Sequence, residues 1–109
     1  MKKVLVVTTD HVEGSPVESY LGTVSGDAIV GANMFRDFFA SVRDVVGGRA
    51  GGYENALRGA KEAAMEDMVE AAQSLGANAV IGVDLDYETV GDTMLMVSVN
   101  GTAVRLQGR

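Results

Sequence analysis

Cysteine is absent from the sequence, which excludes disulfide staples, thiolate nucleophiles and the soft-ligand sites that hold zinc, copper(I) or iron–sulfur clusters. Tryptophan is missing too, and aromatics make up only 6% of the residues, so the bulk of a core must come from Val, Leu, Ile, Met and Ala. The single histidine, His11, leaves no His/Cys group at metal-ligand spacing and no Cys–His or Ser–His–Asp pairing. A lone imidazole in a turn reads as a solvated surface group. Cations are scarce: 9 Lys and Arg stand against 15 Asp and Glu, a net charge of −6. Binding to phosphate backbones draws on clustered Lys and Arg, so nucleic acid is not an expected partner. Long apolar runs are also lacking. Val4-Leu5-Val6-Val7 meets Thr8-Thr9-Asp10 well short of the roughly 7–15 apolar residues of a secretory segment. No stretch approaches the ~20 apolar residues of a membrane span. A cytoplasmic protein with no membrane partner is expected.

What is present is an ordinary globular balance, 47% hydrophobic and 22% charged over 109 residues. That is room for one domain, residues 1–109, burying roughly 60–70% of its unfolded surface. Val4 to Thr8 is a β-branched run closed by Gly14-Ser15-Pro16, and Val17 to Val30 is a second extended stretch interrupted by Gly22 and Gly26. Glycine inside a strand suits a bulge or the close approach of another backbone, a neighbouring subunit's among them; simple irregularity is the alternative.

From Asn33 the period changes. Phe35, Phe38, Phe39, Val42, Val45 and Val46 fall at helical spacing between a good N-cap, Asn33, and the breaker Gly47-Gly48. After the loop Gly47 to Gly52, a longer helix is predicted from Tyr53 to Leu75, with the apolar stripe Leu57, Ala60, Ala64, Met68, Ala71 and Leu75 and Gly76 as C-cap. Period two then returns: Ala79, Ile81, Val83, Leu85 and Tyr87 on one face, Val80, Gly82, Asp84, Asp86 and Glu88 on the other. Beyond Gly91-Asp92, Met94 to Val99 and Thr102 to Leu106 are extended. Between them Asn100-Gly101 is a tight hairpin or a bulge, and the bulge avoids two very short strands. The predicted order is β-β-α-α-β-β in an α+β fold, an antiparallel sheet packed on one long and one short helix.

Three places could carry chemistry. Asp84, Asp86 and Glu88 line up at about twice the strand rise, 6.5–7 Å, where Ca²⁺, Mg²⁺ or Mn²⁺ could bind; a solvated strand face is the favoured reading, since alternation alone explains them and no loop wraps an ion. The Gly47–Gly52 loop, with Arg49 as counter-charge, suggests an anion cradle at a helix start, but neither the Walker nor the dinucleotide pattern is matched and no strand precedes it. It reads as a helix connector, and no cofactor is expected. On the first predicted helix, Arg36-Asp37 and Arg43-Asp44 repeat seven residues apart, on one face. Their positions three and four further on hold Phe39, Ala40, Ser41, Val46, Gly47 and Gly48, so no favourable ion pair forms along the helix. Either the face is solvated or symmetry-related copies supply the partners. Arg36, Asp37, Arg43, Asp44 and Arg49 are therefore candidate oligomer contacts. No catalytic constellation is present, and an enzyme is not expected.

The run from Ile29 to Arg49, together with Tyr53-Glu54, Leu75-Gly76-Ala77-Asn78-Ala79-Val80, Asp84-Leu85-Asp86-Tyr87-Glu88 and Gly101-Thr102-Ala103-Val104, resembles the YbjQ-like family of small bacterial and archaeal proteins. The resemblance implies a dodecin-like β/α subunit with extra short strands that promote assembly into a ring, most often a homopentamer. It also implies a heavy-metal-binding label with no established enzyme activity. With six Met thioethers and no Cys, any ion here would be held mainly by carboxylates such as Asp84, Asp86 and Glu88. A small ligand or metal ion is thus the alternative to a purely self-assembling, non-enzymatic module.

Overall fold

Period-two patterning and β-branched residues do become strands, and the Ala-rich stripe a helix. The structure, a computed structural model, describes residues 3–31, 51–91 and 94–109. The elements are β1 (Leu5–Val6), β2 (Val17–Val30), α1 (Gly51–Ser74), β3 (Ala79–Val90) and β4 (Met94–Leu106). The expected short helix, and with it Arg36, Asp37, Arg43, Asp44 and Arg49, lies outside the described residues.

The strands form one sheet in the order β1-β3-β4-β2. β2 and β3 pair with β4 antiparallel, whereas β1 pairs with β3 parallel, so the sheet is mixed, not antiparallel throughout. β1 reaches β3 through the whole of β2 and α1, and a parallel neighbour requires such a long crossover. As a regular strand β1 is shorter than Val4–Thr8, but the chain keeps following β3. The Val7 N–H donates to the Val80 carbonyl at 3.0 Å, and the Gly82 N–H to that of Thr9 at 2.8 Å.

The helix begins at Gly51, so Gly51-Gly52 of the expected loop are helical. It ends where Gly76 takes φ +85°. The Gly76 N–H donates to the Gln73 carbonyl at 2.9 Å and the Ala77 N–H to that of Ala72 at 3.0 Å, a Schellman arrangement that satisfies the last carbonyls. One face buries Ala64, Met68 and Ala72 completely against Val24, Val80, Val97, Val99 and Ala103. Leu75, placed on the stripe by its spacing, is 46% exposed, and Ala72 takes the buried place.

The small residues let the helix backbone touch the sheet. At Gly26 a Cβ would collide with the Ala64 carbonyl oxygen and sit 2.8 Å from the Met68 amide nitrogen. The close backbone neighbour expected for this glycine is therefore the chain's own helix. Gly22, at φ +134°, sits where the β2–β4 register shifts between Tyr20 and Gly22. On the opposite face of the sheet a second cluster forms from Ala79, Ile81, Val104 and Leu106, backed by Leu5, Val7, Val12 and Val17.

β4 runs unbroken through Asn100-Gly101, so neither a hairpin nor a bulge lies there. The irregularity falls on the facing strand, between Ile81 and Asp84, where Gly82 has φ +60°. Gly101 is needed opposite it, because a Cβ would meet Val80 Cγ1 at 2.6 Å and Val83 Cγ2 at 3.0 Å. The bulge changes the faces of β3. Val80, Leu85 and Tyr87 share the helix side with Ala103, Val99 and Val97, while Ile81 joins Asp84, Asp86 and Glu88 on the other; simple alternation places Ile81 with Leu85.

Candidate functional site

The acidic face of β3 follows from that bulge. Asp84, Asp86 and Glu88 point away from the helix and are exposed. Across the sheet, Asp84 is level with Asn100 and Ser25, Asp86 with Ser98 and Asp27, and Glu88 with Met96 and Ile29. Asp27 thus joins the acidic face from β2, two strands and about 10 Å from Asp86 at the usual strand spacing. Sequence reasoning missed it, although the alternation Thr23, Ser25, Asp27 marks a polar face. Proton sharing with Asp84, then Asp84's charge and to a lesser degree that of Glu88, push the Asp86 carboxyl above the ordinary aspartate range. Like charges at this spacing disfavour the second ionisation. Among the described residues no three His, Cys, Asp or Glu side chains converge as metal ligands.

His11 lies exposed in the loop after β1, its Nδ1 2.7 Å from Asp10 Oδ1. Hydrogen bonding to His11, and then its charge, hold the Asp10 carboxyl below its usual range. Both side chains are open to solvent, 75% and 92% exposed, and the pair belongs to the loop's surface.

Asn78, within the family-like segment Leu75 to Val80, organises one end of the molecule. It is 7% exposed. Its Oδ1 accepts from the Leu106 N–H at 2.7 Å, and its Nδ2 donates to the Leu106 carbonyl at 3.0 Å and to that of Arg109 at 3.4 Å. Its backbone N–H donates to Val104 and its carbonyl accepts from Leu5, both at 3.1 Å. The side-chain amide stands in for a peptide group and carries pairing on to the last residues of β4. The Gln107 N–H donates to the Pro16 carbonyl at 2.9 Å, which seats the C-terminal residues against the turn before β2. An Asn after a helix-ending Gly is the sequence signal, but Asn in turns is so common that its burial was not readable.

These elements define an α+β protein with a helix across one face of a four-stranded mixed sheet, carrying an acidic opposite face and no catalytic grouping among the described residues. The family model described as "Putative heavy-metal-binding", YbjQ_1, matches residues 4–107, and the chain belongs to that family. A crystal structure of a protein of unknown function from Pediococcus pentosaceus ATCC 25745, described as a member of the DUF74 family, is similar in fold. Its TM-score is 0.54 at 12% identity, covering 95% of this chain and 98% of that one. Neither comparison names a reaction. No helix among the described residues is long and apolar enough to cross a membrane.

Proposed function

We propose that the chain is a non-enzymatic subunit of a homo-oligomeric ring. The observation that supports this reading is the outer edge of β2. Among the described residues it has no strand partner. Its second half, Thr23 to Val30, pairs with β4 without irregularity, so a straight row of backbone donors and acceptors faces outward. Edges are normally protected by charged side chains, above all Lys, or by Pro or bulges. This half carries one charge, Asp27, and no Lys, Pro or bulge, and near its end Ile29 is 58% exposed. A second copy adding a strand would satisfy those groups and cover Ile29. The Arg36-Asp37 and Arg43-Asp44 repeat supports the same reading from sequence.

The test is native mass spectrometry of the wild type beside a Ser25→Lys, Ile29→Lys variant. Both positions are exposed, so the fold should change by no more than about 0.5 kcal/mol. A wild-type oligomer that falls to monomer in the variant is expected. A monomeric wild type at micromolar concentration overturns the proposal, and an oligomer untouched by the two lysines removes the β2 edge from it.

A second reading has its own observation: the crowding that raises Asp86 would be relieved by a bound cation, and the family description points the same way. A hard ion such as Mn²⁺ would then be held by the neighbouring carboxylates of Asp84 and Asp86, with water filling the rest of its shell and Glu88 adding charge nearby. Stoichiometric Mn²⁺ uptake, lost in an Asp84→Asn, Asp86→Asn variant, would favour it; no saturable uptake would discard it.

A further inference from the structure

We infer that the cleft between the start of β1 and the C-terminal residues is a binding site for a small organic or inorganic anion bearing a carboxylate or phosphate group. The cleft is lined by Lys3, Ser15, Asn78, Gly108 and Arg109 and has a volume of about 420 Å³, a size typical of sites for small molecules. In a chain of net charge −6, the charged side chains among the described residues that line it, Lys3 and Arg109, are both cationic. Neither pairs with a carboxylate among the described residues. Coulomb attraction in such a cleft concentrates anions although the molecule as a whole repels them.

Its walls are fixed in advance. The Leu5 N–H to Asn78 carbonyl bond ties down the chain two residues after Lys3, and the Asn78 amide donates to the Arg109 main-chain oxygen at 3.4 Å. Ser15 is held by its N–H to the Val12 carbonyl at 3.1 Å, which leaves its hydroxyl free to donate. Arg109 offers a planar fork for two oxygens and Lys3 a compact charge, a division of labour that suits carboxylate and phosphate alike. With the Asn78 side chain committed to backbone, recognition falls to Lys3, Ser15 and Arg109. A ligand held by two cations and a hydroxyl needs at least two anionic oxygens.

The experiment is an amide NMR titration at constant ionic strength, with inorganic phosphate in one arm and citrate in the other, and sodium chloride as control. Saturable shifts at Lys3, Ser15, Gly108 and Arg109 are expected, with half-saturation at or below about 1 mM, a free energy near −4.1 kcal/mol. Saturation by phosphate alone or citrate alone would name the source. In a Lys3→Gln, Arg109→Gln variant, whose exposed positions leave the fold intact, affinity should fall at least tenfold. Shifts that stay linear to tens of millimolar, that chloride reproduces, or that survive in the variant would overturn the inference.

Discussion

Replacing Gly26 by alanine asks whether the helix backbone really rests on the strand. The added Cβ would fall inside the Ala64 carbonyl oxygen and 2.8 Å from the Met68 nitrogen, closer than the 3.0 Å that real Cβ atoms respect. Both obstacles are backbone, so no rotamer change relieves them. The helix must lift or the strand must bend, and Ala64, Met68 and Ala72, all fully buried, then part from the sheet together. Overpacking of this kind costs about 1–3 kcal/mol, and weaker dispersion attraction around the lifted residues adds to it. A loss of about 2–4 kcal/mol is expected, seen as a lower urea midpoint at unchanged slope and a melting temperature lower by about 4 °C for each kcal/mol. The sign is diagnostic. Gly26 is not in the left-handed region, so without the helix an alanine there would stabilise by about 0.4–1 kcal/mol through the unfolded chain. A Gly26→Ala protein as stable as the wild type would show that the helix does not sit on β2.

The matching control is Gly59→Ala, at a helical position with open space around it, which should raise stability by up to about 1 kcal/mol in the same denaturation assay. Asn78→Ala should cost about 1–3 kcal/mol because the buried Leu106 N–H loses its acceptor, and hydrogen exchange should quicken first at Leu106 and Gln107. For Asp86, a carboxyl-carbon NMR titration should give a midpoint above that of an ordinary aspartate, returning toward it in Asp84→Asn. Because the folded-state value is raised, the linked stability is present at low pH and declines as pH rises through the Asp86 midpoint, and Asp84→Asn should flatten that decline.

The parts of the fold legible in the sequence were those fixed by local periodicity. Val17 to Val30 has the bounds expected of it, and the long helix differs from expectation only at its ends, because Gly51-Gly52 join its first turn and Gly76 stops it. Asp84, Asp86 and Glu88 were readable as one exposed face, since period two holds within each regular stretch of β3. What failed depended on partners distant in sequence. A strand near Val4 to Thr8 was legible, but its parallel pairing was not, because its partner β3 lies beyond the whole of β2 and α1. Asn78 was not legible as an organising residue because its value lies in reaching Leu106, 28 residues on. Asp27 entered the acidic face only through the register of β2 on β4.

The bulge at Gly82 shows why one irregular residue can organise a whole face. Had β3 alternated without a break, Val80 on the helix side would have been followed there by Asp84, Asp86 and Glu88, with Leu85 and Tyr87 turned away. A carboxylate at the half-buried place that Leu85 now fills would lose hydration at a cost of up to several kcal/mol. One extra residue reverses the alternation: Leu85 then packs beside Val80 on the helix-side core, and the acids face water. A non-glycine residue at φ +60° costs roughly 1–2 kcal/mol, so glycine makes the reversal inexpensive. The same distortion turns the Gly82 and Val83 N–H groups to the Thr9 and Val7 carbonyls, at 2.8 and 3.2 Å. The bulge that exposes the acidic residues therefore also anchors the chain beyond β1, whose other end carries Lys3 into the cationic cleft.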